Sequence, residues 1–92
     1  MRASPPTDAD LVGALVAVAR ALDAPCSRQL DGRFYFVLGD TWALSISPDS
    51  AGRFRLGACY GQTEVATMWC RVGDRRHLAD LALSIAHETA PV

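Results

Sequence analysis

Arg53 and Arg55 alternate with apolar residues in RFRLGACYGQTEVATMWC, residues 53–70, and two of the three cysteines, Cys59 and Cys70, lie in the same stretch. Guanidinium groups repeated along a strand suit carboxylates and phosphates, and aromatics beside them add surfaces on which a partner can stack. Thiols bring nucleophilic and metal-binding chemistry. Two further arginines flank strand-like segments: Arg33 opens RFYFVL and Arg71 follows Cys70. A sheet that gathers Arg33, Arg53, Arg55 and Arg71 beside Phe34 and Phe36 has the aromatic and arginine content of a protein interface. Those six residues are the candidate interaction surface. Arg75, Arg76 and His77 form a second basic spot at the start of the last helix, where backbone N–H groups can meet an anion. A solvated first turn is the commoner explanation of such residues.

The other chemistries find less support. Cys59 and Cys70 are 11 positions apart, His77 and His87 are 10 apart, and no CxxC or HxxxH pair occurs. Structural zinc sites use such close pairs, so neither a metal nor a cofactor is expected. No GxSxG or papain-like cysteine context is present, and the phosphate-binding GxxxxGK[ST] and GxGxxG motifs are missing. Only two glutamates occur, and the aspartates fall mostly at helix caps and turns. No catalytic residue is assigned.

The formal net charge is −1, which gives no general attraction to nucleic acid or to anionic membranes. Nine arginines without a single lysine or asparagine point to GC-rich coding, as in an actinobacterium or its phage. The opening MRASPPTDAD lacks the apolar run of a signal peptide, and the 12-residue run LVGALVAVARAL is short of the roughly 20 residues that cross a bilayer. With an odd cysteine number, a cytoplasmic location with free thiols is the expectation.

The elements that position these residues follow from periodicity. The 92 residues suit a single domain, with residues 1–6 a flexible lead-in. A helix is predicted over 7–24: Thr7 and Asp10 approximate a capping box, and Leu11, Leu15, Val18 and Leu22 form an apolar stripe that Val12, Val16 and Ala19 widen. Gly13 marks a close approach to the sheet. Residues 26–72 read as four or five antiparallel strands, and 74–89 as a second helix capped by Asp74 and striped by Leu78, Leu81, Ala82 and Ile85. The fold is α+β: an N-terminal helix, an antiparallel meander and a C-terminal helix packed on the sheet.

Turn lengths set the expected faces. A five-residue PDSAG loop opposes Ile46 to Phe54, Leu44 to Leu56 and Trp42 to Ala58, making one apolar side. A two-residue Gly39-Asp40 turn places Tyr35 and Val37 on that side, and Phe34, Phe36 and Leu38 with the arginines. A two-residue Gly61-Gln62 turn puts Trp69 inside, and Glu64, Ala66, Met68 and Cys70 with the arginines; a three-residue turn reverses this and sets Trp69 and Arg71 beside Arg53 and Arg55. A strand apolar on both sides needs cover on both, either from one helix on each face or from two helices on one face and a partner, a second copy included, on the other.

The expected function is a non-enzymatic protein-interaction module: a regulator, adaptor, chaperone-like protein or phage-type inhibitor. The alternatives are a nucleic-acid-binding module using Arg33, Arg53, Arg55 and Arg71, and a small thiol enzyme or ligand carrier. Intact mass under non-reducing conditions is expected to show three free thiols, and elemental analysis no stoichiometric zinc. One equivalent of zinc, lost in Cys59→Ser, would contradict this.

Overall fold

The computed structural model describes residues 6–39, 41–49 and 52–89. Along the chain these form α1 (Asp8–Leu22), β1 (Arg28–Leu30), β2 (Arg33–Val37), β3 (Trp42–Asp49), β4 (Arg53–Tyr60), β5 (Thr63–Arg71) and α2 (Arg75–Thr89). The strands pair antiparallel in sequence order, so the sheet is an open five-stranded meander with β1 and β5 at its edges. Most of the predicted lead-in, residues 1–5, lies outside the described residues, as do Asp40, Ser50 and Ala51 of the predicted turns. Among the described residues, no helix is long and apolar enough to cross a membrane.

Both helices start as their capping residues require. The Thr7 N–H donates to Asp10 Oδ2 at 3.0 Å and the Asp10 N–H donates to Thr7 Oγ1 at 3.2 Å, completing the capping box. The bond from the Thr7 N–H holds the Asp10 carboxyl below its ordinary pKa. The contribution of this cap is therefore present above the unfolded-state pKa and lost as pH falls through the lowered folded value. At α2, Asp74 Oδ1 accepts from the His77 N–H at 3.1 Å.

α2 packs on the sheet against β3 and β5, and α1 packs chiefly against α2. Ala14 and Val18 of α1, and Leu78, Ala82 and Ile85 of α2, share one buried cluster with Phe36, Leu44, Ile46, Phe54, Leu56, Ala58 and Cys70. Both helices therefore cover the same face. Because α1 meets α2 more than the sheet, its buried stripe is narrower than predicted: Val12 and Val16 remain 60 % and 43 % exposed. Gly13 admits α2, not the sheet, since the Arg75 guanidinium lies against the position a side chain would take there.

Three differences in register matter. β3 and β4 extend through Pro48 and Asp49, so Ile46 opposes Leu56, Leu44 opposes Ala58 and Trp42 opposes Tyr60. This is a shift of two residues from the predicted pairing, and an even shift leaves every side chain on its predicted face. Between β2 and β3 the Leu38 N–H donates to the Trp42 carbonyl at 3.0 Å, so the connection holds three residues, not two. That odd change reverses β2: Phe34 and Phe36 oppose Ile46 and Leu44 on the side of the helices, while Tyr35 and Val37 turn to the other side. Finally, Tyr60 opposes Thr63 across the predicted two-residue turn, but a bulge follows it, with Cys59 opposite Glu64 and Ala58 opposite Ala66. Val65 is the extra residue, and beyond it the faces invert. Met68 and Cys70 join the core side, and Trp69 stands opposite Arg55.

Leu56 lies at the middle of this core with no exposed surface. Leu56→Ala is expected to lower stability by about 2–5 kcal/mol in urea unfolding, the range for removing a large buried side chain. Val37→Ala, at a site 61 % exposed, is expected to change it by less than about 0.5 kcal/mol.

Candidate functional site

The sheet face opposite the helices carries the arginines. Cross-strand pairing arranges it in rows: Arg71, Arg53 and Asp49; then Trp69, Arg55 and Ser47; then Thr67, Gly57, Ser45 and Tyr35; then Glu64, Cys59, Ala43 and Val37. Short side chains fill the middle, so this face is low at its centre. Ser45 is buried and its hydroxyl donates to the Gly57 carbonyl at 3.4 Å.

Glu64 organises the centre. Its side chain leaves its own row and lies over Gly57, where any Cβ would overlap the carboxylate and come within 2.6 Å of Ser45 Oγ. Glu64 Oε2 accepts a bond from Arg55 Nη2 and another, at 2.7 Å, from Thr67 Oγ1. Glu64 Oε1 lies 4.0 Å from Arg33 Nη1 and is buried with no hydrogen-bond donor among the described residues. One carboxylate thus draws in two of the four predicted arginines. Beside it a cleft of about 410 Å³ opens between the β1–β2 and β4–β5 turns, lined in part by Leu30, Tyr35, Cys59 and Gln62.

The other two arginines lie at the far corner. Arg53 donates to Asp49 Oδ2 at 2.7 Å, and its guanidinium carbon stands 5.1 Å from the centre of the Trp69 ring, a cation–π distance. Arg71 is directly opposite Arg53 and has no carboxylate partner among the described residues.

Of the predicted surface, then, Arg33, Arg53, Arg55 and Arg71 come together. Phe34 and Phe36 do not: register turns both to the helix side, where Phe36 is fully buried in the core and Phe34 is half-buried. The aromatics on the arginine face are Trp69 and Tyr35. The second basic spot belongs to the helical layer; Arg75, Arg76 and His77 are all exposed, and the Arg75 guanidinium lies against Gly13.

Sequence reasoning put Glu64 on the arginine side without counting it in the site and favoured Trp69 inside, though a signal for the bulge was present. Glu64 and Arg71 are seven positions apart, so a regular strand sends them to opposite faces, yet neither charge suits the core. A one-residue bulge between them satisfies both.

The thiols are dispersed. Cys59 is buried on the arginine face opposite Glu64, and Cys70 is buried on the helix side, where its thiol donates to the Asp74 carbonyl at 3.4 Å. Desolvation, reinforced by Asp74, raises the Cys70 pKa and so disfavours the thiolate. Cys26 is half-buried and its thiol donates to the Tyr35 carbonyl at 3.5 Å. No three of His, Cys, Asp and Glu come together as a metal site would need, among the described residues. No protein-family model, curated protein or solved structure matches the chain.

Gly57→Ala is expected to displace the Glu64 carboxylate and cost about 1–2 kcal/mol, below the full value of a charged hydrogen bond because Arg55 is one-third exposed. In a Glu64→Ala background the same change is expected to cost less, the remainder being the shift it still forces on Ser45 Oγ, a coupling read by a double-mutant cycle. Additive effects would show that Glu64 does not depend on the space above Gly57.

Proposed function

We propose that the chain is a non-enzymatic protein-interaction module that binds its partner through the sheet face opposite the helices. The observation that carries this reading is one-sided cover. α1 and α2 both lie on one face, and the other presents Arg53, Arg55 and Trp69 with Leu30 and Val37 toward its far edge. Leu30, Val37 and Trp69 are 50 %, 61 % and 46 % exposed. Tryptophan and arginine are the residues that most often anchor protein interfaces.

The charge pattern favours protein over nucleic acid. Glu64 and Asp49 already engage three of the four arginines, and a phosphate chain laid here would meet those carboxylates. A protein surface can place its own charges and apolar groups to match. A regulator, adaptor, chaperone-like protein or inhibitor that acts by occupying or blocking a surface fits this description, and a second copy of the chain is one partner to test.

Affinity capture from the native host, with cross-linking and mass spectrometry, tests the reading. Val37→Asp and Arg53→Glu are expected to lose a protein partner that Asp80→Arg, on exposed α2 surface, retains, while all three keep melting temperatures within a few degrees of wild type. Retention of every partner by both face variants would refute it. Capture of nucleic acid alone, with steep salt dependence, would favour the nucleic-acid alternative. Sedimentation velocity reports whether the partner is a second copy.

A further inference from the structure

β5 is an edge strand with an unusual outer side. It pairs with β4 alone, so Thr67, Trp69 and Arg71 turn their backbone N–H and C=O groups away from the sheet; of these, the Arg71 carbonyl already accepts from the Asp74 N–H at 3.2 Å, which leaves the groups of Thr67 and Trp69 and the Arg71 N–H to a further strand. From Ala66 to Arg71 it pairs regularly with Arg53–Ala58, because the bulge disturbs only the end near the turn. No proline or lysine interrupts these residues, and Trp69 is 46 % exposed. Natural sheets commonly blunt edges of this kind or cover them. The opposite edge, β1, is only three residues long.

The charges at this edge are incomplete. Arg71 stands directly opposite Arg53, an arrangement that is unfavourable between like charges. Asp49 compensates Arg53, but no carboxylate among the described residues compensates Arg71. On the part of this face formed by β2 to β5, four arginines meet two carboxylates, leaving +2, whereas the chain as a whole is −1. The open face is the positive pole of a slightly acidic protein.

We propose that the β5 edge takes up an extended segment of a partner protein as a sixth strand, with an acidic residue opposite Arg71 and an apolar residue opposite Trp69. The inference rests on the interaction-module reading above and names the form of the partner. Neighbours on one face of a strand are two residues apart, so the recognised pattern is acidic–x–apolar, in whichever direction the segment runs. The outward N–H and C=O groups select a peptide, since only another backbone completes that ladder. A second copy of β5 is a poor occupant: its single acidic residue, Glu64, lies at the bulge and is held by Arg55 and Thr67.

The probe is a blocked nonapeptide of threonines with a central valine and a glutamate two residues to either side, which fits both directions. Trp42→Phe leaves Trp69 as the sole tryptophan, and its emission is expected to change saturably with peptide. Amide chemical shifts in the wild-type protein, confined to residues 66–71, give the same readout if that variant folds poorly. Arg71→Glu is expected to weaken binding about five- to tenfold, the scale of making one favourable cross-strand charge pair repulsive. Replacing both glutamates by lysine, or N-methylating alternate backbone amides of the peptide, is expected to abolish it. No perturbation of β5, binding indifferent to N-methylation or to Arg71→Glu, displacement of the peptide by an oligonucleotide, or self-association through β5 would each overturn the proposal. If Val37→Asp still removes a captured partner while the peptide leaves β5 unperturbed, the edge inference falls and the face reading stands.

Discussion

The packing of both helices on one side of a five-stranded sheet is the constraint from which the rest follows. α2 meets β3 and β5, and α1 lies alongside α2 with the Arg75 guanidinium against Gly13. Every strand must then sort its residues by face. Phe36, Leu44, Ile46, Phe54, Leu56 and Cys70 turn toward the helices and lose nearly all contact with solvent. The alternate residues have no element above them. They are small at the centre of the sheet, and toward its margins charged residues stand among the exposed Leu30, Val37 and Trp69.

Small side chains alone do not finish that second face. Gly57 leaves room for a carboxylate to lie flat, and Glu64 takes it, bonding Arg55 and Thr67 and attracting Arg33. The bulge at Val65 makes this compatible with the rest of β5, since it lets Glu64, Trp69 and Arg71 share a face while Met68 and Cys70 serve the core. One inserted residue thus links core packing to the charge pattern outside. The arginines are accordingly not a bare positive field. Two are gathered by Glu64, one is held by Asp49 and Trp69, and Arg71 is left at the edge.

Much of this was legible in the chain because it depends on local signals. The capping box at Thr7 and Asp10, the cap at Asp74, the spacing of apolar residues in the two helices and the alternation in β3 and β4 all act within a few residues. Even an error of two residues in the β3–β4 register left the faces intact. Phe34 and Phe36 went to the wrong side because both faces of β2 are rich in apolar groups, so only the length of the β2–β3 connection decided between them. Trp69 went inside because the bulge intervened after a correctly read turn.

The sequence by itself determined the kind and order of the elements and set Arg53 and Arg55 on one face, whereas its favoured turn lengths left Arg33 and Arg71 on the other, since propensity, capping and alternation are properties of neighbouring residues. Only the tertiary structure decided that both helices share a face, that Glu64 lies across Gly57 between Arg55 and Arg33, and that Trp69 joins the arginines. Those outcomes depend on parity and on contacts between strands distant in the chain. A single residue more or less in a turn or bulge inverts a face, at little local cost, and the choice falls to whichever face can be buried.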